Sequence, residues 1–194
     1  MKPSLSVLGV GYVGLSTAAC FASKGFTVTC FDVDARKTEA LNRGEAPLFE
    51  PGVNELVKAS VRRGLLRATP DPREAVVNSE VTFIVAGTPT LKDGGIDLTN
   101  VLNASRLVGE ALGDSSGWHL VVIRSTVVPR TTETRIKPLL EEVSGKTCPE
   151  GFGLVYNPEF LSEGSAIEDT LHPDRIVIGG LDHRAGDALE SVYR

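Results

Sequence analysis

Cysteine is scarce in this chain: Cys20, Cys30 and Cys148 are its three in 194 residues. A sparse, odd set builds no disulfide framework and fits a reducing compartment, so the cytoplasm is the expected location. No pair has the C-x-x-C spacing of a zinc site, and His119, His172 and His183 stand apart from the thiols, so no metal is expected. Basic runs are missing too, none being longer than Arg62-Arg63, and the formal net charge is −5. That balance argues against nucleic acid and against an anionic membrane surface as partners. No apolar stretch approaches the roughly 18–20 residues that span a bilayer. The opening MKPSLSVLGVG has a short apolar core but lacks a small-residue cleavage site, and it reads as a strand.

What is present is alternation. Apolar runs at 5–9, 27–32, 66–68, 81–85, 120–123, 154–156 and 176–178 are separated by amphipathic stretches at 13–23, 36–43, 53–63, 71–78, 100–112, 131–143 and 184–193. Strands buried on both faces of a parallel sheet read as continuous apolar runs, as these do. Strand–helix alternation implies right-handed crossovers and a doubly wound, mainly parallel α/β sheet with helices on both faces. Asp71-Pro72 with Glu74 marks a capped helix start, and Gly25 and Gly44 stand where left-handed residues end helices.

The densest signal is LSVLGVGYVG at 5–14: a strand, then G-x-G-x-x-G at Gly9, Gly11 and Gly14, then a helix. The pattern is weak alone, but Asp32 ends the next strand, as a dinucleotide site requires. Gly9 permits the tight turn, Gly11 admits a pyrophosphate to the backbone, and Gly14 lets the helix pack on the strand. Tyr12 and Val13 lie within that turn, where the helix start offers free N–H groups to the anion. A carboxylate at 32 accepts both ribose hydroxyls and repels a 2′-phosphate, which favours NAD over NADP. Arg36 and Lys37 stand near enough to blur that preference, unless they are simply solvated.

Seven segments then occur in order: GVGYVGL (9–15), FDVD (31–34), PLFEPGV (47–53), GTPT (87–90), RSTVVPRTT (124–132), NPEFLSEGSA (157–166) and PDRIVIGG (173–180). Together they resemble the UDP-glucose/GDP-mannose dehydrogenase family, and NPEFLSEG is nearer its UDP-glucose and GDP-mannose branches than its N-acetylmannosamine branch. The resemblance implies an NAD-dependent oxidation of a sugar-nucleotide primary alcohol to the carboxylate in two hydride transfers. It also implies an N-terminal dinucleotide domain, a connecting helix and a C-terminal sugar-nucleotide domain, with the whole enzyme a homodimer or larger. Residues 1–183 match the first domain and 184–194 are expected to begin the connecting helix, so the chain is expected to be truncated and inactive alone. The family's nucleophilic cysteine lies in a glycine-rich motif that none of the three cysteines here occupies.

By the same resemblance Glu159 is the acid/base group that positions the hydrolytic water, and Thr126 holds that water beside it. Glu163 contacts the nicotinamide ribose, and Glu159 to Glu163, with Phe160 and Leu161 between them, touch the sugar nucleotide. Gly87, Thr88 and Pro89 approach the dinucleotide, with Ser125 and Thr126 on the same rim, although Ser125 and Thr126 alternatively cap their own turn. Glu50 reads as part of a turn and cap, and Arg175 as a partner of Glu168 or Asp169 or a brace for the loop. Arg130 stands where bacterial relatives commonly carry glycine. Two other readings share the fingerprint: a stand-alone NAD-binding module, and a fragment of a 3-hydroxyacid-dehydrogenase-like enzyme.

Overall fold

The apolar runs form a seven-stranded sheet in the computed structural model, which describes residues 2–194. The strands are β1 (Leu5–Leu8), β2 (Val28–Phe31), β3 (Leu66–Thr69), β4 (Val81–Ile84), β5 (His119–Ile123), β6 (Phe152–Tyr156) and β7 (Gly179–Gly180), ordered β3-β2-β1-β4-β5-β6-β7. The first six run parallel. The helices are α1 (Tyr12–Ser23), α2 (Ala35–Asn42), α3 (Val53–Arg62), α4 (Pro72–Val77), α5 (Thr99–Gly113), α6 (Lys137–Ser144), α7 (Ala166–Leu171) and α8 (His183–Tyr193).

Because successive strand residues face opposite ways, each strand feeds two cores. Val7, Phe83 and Val122 pack with Leu15 of α1, Leu41 of α2, Val57 of α3 and Leu189 of α8. Leu8, Ile84 and Val121 pack with Val76 of α4, Val108 of α5 and Leu140 of α6. The doubly wound architecture expected from the sequence is therefore the one observed. Strand order reverses between β1 and β4, and in such sheets the crevice beyond the carboxyl ends at the reversal is the ligand site. Helix α8, anticipated as the start of a connecting helix, buries Ala185, Leu189 and Val192 in the first of these cores.

Three local expectations are corrected. Ile176–Ile178 is not a strand, and Ile176 and Val177 are exposed. The last strand is Gly179–Gly180, antiparallel to β6 through Val155↔Gly180 and Tyr156↔Gly179. The chain leaving β6 remains at the carboxyl end of the sheet and re-enters from that end, which fixes the reversed direction. Second, α7 was not anticipated: six residues give too few apolar positions for a helical period, and contact with α1 supplies its stability. Third, the expected helix at 131–143 is split. A π-helical turn, Thr132–Ile136, precedes α6, and Pro138 accounts for it, since proline lacks the N–H and its ring crowds the carbonyl four residues back.

Arg130 is the one non-glycine residue with positive φ among the described residues, at 73°. Arg130 thus holds a left-handed conformation that glycine adopts freely and that costs an L-residue about 1 kcal/mol. Below the sheet centre lies a polar chain. Ser79 Oγ donates to Ser6 Oγ at 3.0 Å, Ser6 and Thr82 hydroxyls meet at 2.7 Å, and Thr82 Oγ1 meets His119 Nε2 at 2.7 Å. Burial pushes the His119 imidazole from 6.5 down to about 4, against a backbone hydrogen bond at Ser79 that works to raise it.

Two outcomes are expected. Arg130→Gly should raise the unfolding free energy by about 1 kcal/mol in urea titration, by relieving the left-handed strain. For His119 the folded form binds its proton less readily than the unfolded form, so stability is complete above pH 6.5 and falls as pH drops through the window toward 4. His119→Gln should flatten that decline, measured by denaturant titration between pH 6.5 and about 5, where ordinary carboxylates remain ionised.

Candidate cofactor and active site

The crevice at the strand reversal is built by the glycine turn. Gly9 has φ +107°, and a Cβ there would meet the Val85 carbonyl oxygen at 2.5 Å, because β1 and β4 end side by side. A Cβ at Gly14 would sit 1.8 Å from the Gly9 carbonyl oxygen, so only glycine lets α1 start this close to β1. Gly11 is different. Its φ is −85°, and nothing lies within 4 Å of the place its Cβ would take. Glycine there serves no internal packing need; it leaves room for something outside the protein. No side chain caps α1, so the amides from Gly11 to Gly14 face that room as free donors with the positive end of the helix dipole.

Asp32 closes the turn from the side. It is 9% exposed; its Oδ2 accepts the Val10 amide at 2.7 Å and its Oδ1 accepts the Asp34 amide at 2.9 Å. Lys37 Nζ lies 3.3 Å from Oδ2, so this ammonium is neutralised by Asp32 and is not a free cation awaiting a phosphate. Arg36 is likewise engaged, pairing through Nε and its terminal nitrogen with both oxygens of Asp34 at 2.9 and 2.8 Å. That hydrogen-bonded pairing holds the Asp34 carboxyl down to about 2. Gly9, Gly11, Asp32, Lys37 and Gly87 line one cleft of 350 Å³, with α5 as its outer wall.

The opposite rim collects the ends of β4, β5 and β6. Thr88 Oγ1 donates to the Thr126 carbonyl at 2.7 Å, tying the Gly87-Thr88-Pro89 turn to the segment after β5. Thr126 is exposed, whereas Ser125 is buried with its hydroxyl 3.4 Å from the Ile84 carbonyl. The Ser125 hydroxyl is thus spent on β4, while the Thr126 hydroxyl is available. Glu159 follows β6 as Thr126 follows β5, and these neighbouring parallel strands are in register at Ile123↔Tyr156. Glu159 is half-buried and accepts the Leu161 amide at 2.6 Å; Glu163 is exposed.

Two supports escaped the sequence reading. Arg124, buried, donates to Asn157 Oδ1 at 2.8 Å and to Tyr193 Oη at 3.0 Å, while Asn157 Nδ2 donates to the Val177 carbonyl at 2.8 Å. The base of the Asn157–Ala166 loop is thereby pinned to β5 and to the end of α8. Glu50 is the second support. It is 5% exposed, and its carboxylate receives Tyr12 Oη at 2.6 Å, the Gly164 amide at 3.0 Å and the Ala166 amide at 2.8 Å. Burial works to raise the Glu50 carboxyl, but these three donors together outweigh it and hold the group below its ordinary range. Burial, then the bond to Glu50, pushes the Tyr12 phenol up to about 12. Arg175 lies 4.4 Å over the Phe160 ring, so of its two expected roles it takes the brace on the loop. Glu159, Phe160 and Arg175 border a second cavity of 200 Å³.

The thiols are unsuited to nucleophilic work. Burial pushes Cys20 and Cys30 up to about 12 and Cys148 up to about 11, so none is a thiolate near neutrality. No group of three metal-ligating side chains occurs among the described residues. No helix of theirs is long and apolar enough to cross a membrane.

Comparison with known proteins agrees with this geometry. Residues 3–194 match the model of the UDP-glucose/GDP-mannose dehydrogenase family, NAD binding domain. The chain belongs to the UDP-glucose/GDP-mannose dehydrogenase family. It is 44% identical to UDP-glucose 6-dehydrogenase of Haloferax volcanii over 97% of this chain and 44% of that protein. It is 42% identical to GDP-mannose 6-dehydrogenase of Pseudomonas aeruginosa over 98% of this chain and 44% of that one. A ternary complex of GDP-mannose dehydrogenase from the same organism superimposes with a TM-score of 0.96 at 42% identity, covering 98% of this chain and 44% of that chain. The chain therefore spans less than half the length of these relatives.

As an NAD-binding domain of that family, the chain has a cradle that fits the cofactor. The open side of Gly11 and the uncapped start of α1 leave space and free donors for an anion, and the carboxylate of Asp32 stands beside them. Gly11→Val should weaken NAD at least about tenfold by calorimetry, because its side chain takes the ligand's space. The melting temperature should stay within about 2 °C of the parent, since no protein atom is displaced.

Proposed function

We propose that this chain is the cofactor half of a sugar-nucleotide 6-dehydrogenase, working on UDP-glucose, GDP-mannose or a close relative with a C-terminal domain that completes the site. The observation that carries this reading is the Asp32 latch beside an open Gly11, at the same carboxyl end of the sheet from which Thr126 and Glu159 emerge after the adjacent strands β5 and β6.

NAD, when bound, supplies the hydride acceptor for both oxidation steps. The protein does the rest by position and charge. The free amides of Tyr12, Val13 and Gly14 receive the pyrophosphate, and Asp32 accepts the adenosine ribose hydroxyls through lone pairs that Val10 and Asp34 leave unused. Lys37, already paired with Asp32, steadies that carboxylate. Gly87, Thr88 and Pro89 lie along the dinucleotide toward its nicotinamide end, where Ser125 shapes the turn and Glu163 meets the second ribose. Thr126 donates to and accepts from a water that Glu159 orients and deprotonates for the hydrolytic step, a task suited to a half-buried carboxylate. Phe160 and Leu161 present main chain to the sugar nucleotide. The nucleophilic thiol is assigned to the complementary domain, because the three thiols here are buried and protonated. Three free thiols also suit a reducing cytoplasm, and the complete enzyme is proposed to be a homodimer or larger.

Asp32→Asn tests the reading. Titration calorimetry should show at least about a tenfold loss for NAD and a smaller preference for NAD over NADP, because the repulsion of a 2′-phosphate goes with the charge. The same chain incubated with UDP-glucose and NAD should form no NADH. An unchanged coenzyme preference in the variant would remove Asp32 from the ribose and this function with it.

A further inference from the structure

Glu50 is buried, and no ion pair among the described residues involves it. Its charge is met only by hydrogen-bond donors, and these come from two separate places. One is Tyr12, the first residue of α1, next to the open Gly11. The other is the far end of the Asn157–Ala166 loop, through the amides of Gly164 and Ala166. The Gly164 amide is shared with the Tyr12 hydroxyl oxygen at 3.1 Å, and the Ser162 carbonyl lies 3.0 Å from the same oxygen, so the three parties form one cluster.

We propose that Glu50 is a positioning residue of the dehydrogenase site, clamping the loop of Glu159 and Glu163 to the turn that receives the pyrophosphate, so that coenzyme loading orders the loop. The proposal rests on the reading that this loop carries the acid–base and ribose contacts. The loop is otherwise closed mainly on itself: Asp169 takes the Ser162 amide at 2.8 Å and the Ser165 hydroxyl at 3.0 Å, both local contacts. Between Leu161 and Ala166, the cluster around Glu50 and Tyr12 is what fastens the loop to the first half of the chain. A carboxylate suits this place because it is acceptor-only and can satisfy an O–H and two N–H donors at once. Gly11 directly precedes Tyr12, so any shift of the start of α1 on loading moves the hydroxyl that Glu50 holds. A plain turn-and-cap role for Glu50 would instead direct its side chain at α3. That helix start is served by the Glu50 main-chain carbonyl, which accepts the Val53 amide at 3.1 Å.

The test is hydrogen exchange of the 194-residue chain with and without NAD, together with calorimetry, on the parent, Glu50→Gln, Tyr12→Phe and the double variant. In the parent, NAD should slow exchange at both Gly11–Leu15 and Ser162–Ala166. In either single variant the turn should remain protected by NAD, while loop protection falls at least about fivefold. The two substitutions should not add in the NAD dissociation constant, because both break one cluster. In the absence of NAD, Gly164 and Ala166 should already exchange faster in Glu50→Gln while α3 does not. If loop protection persists in both single variants, with or without NAD, the clamp is refuted. Should Glu50→Gln fail to fold, Tyr12→Phe decides alone, since it leaves the carboxylate and its loop donors in place. Failure of the parent to bind NAD would overturn the cofactor assignment, and the coenzyme-free comparison at Gly164 and Ala166 would still decide the clamp.

Discussion

One hydrogen bond organises this molecule: the Val10 amide donating to Asp32 across 2.7 Å. The glycine turn must leave the sheet sharply enough to aim the start of α1 into the crevice, and such a turn strands a backbone donor inside the protein. An unmet buried amide costs roughly 1–3 kcal/mol. Supplying the acceptor from the end of β2 meets that demand and at the same time places a negative charge beside the free start of α1. The same carboxylate thus closes the fold and sets the charge at the mouth of the crevice.

From that latch the rest of the site follows by adjacency. Because β1 and β4 end together, Gly9 must lack a side chain, and the chain beyond β4 lies along the opening. Because β4, β5 and β6 continue in register, Thr88, Thr126 and Glu159 emerge in succession along one rim. The loop after β6 is the least regular part of that rim, and it is held by polar contacts where apolar packing is thin. Arg124 and Asn157 pin its base, the Arg175–Phe160 stack braces its middle, and Glu50 with Tyr12 ties down its end. Polar anchoring of this kind fixes geometry with little buried area.

Polar groups also mark the opposite end of the sheet, where no ligand is expected. Ser6, Thr82 and His119 satisfy one another between β1, β4 and β5, and the imidazole is kept neutral by burial. A perturbed histidine would ordinarily draw attention as a catalytic group. Here its position, far along β5 from the carboxyl ends, makes it a structural partner of Thr82. Chemistry in this fold is decided by which end of a strand a residue occupies.

The alternation of apolar runs was enough to determine the sheet and the helices on both faces, and the glycine turn with Asp32 marked the crevice at the strand reversal. Each of those rests on periodicity or on the local backbone demands of Gly9, Gly14 and Asp32. The tertiary structure alone decided what the side chains of Glu50, Arg124 and Tyr12 bond to, because those partners lie far away in the chain and leave no spacing to read. It also decided the direction of β7 and the short α7, because neither carries a period of its own and both take their conformation from the surfaces they meet. Local patterns record what a segment needs from its neighbours along the backbone. A buried charge records what it needs from residues a hundred positions away, and only the folded chain brings them within reach.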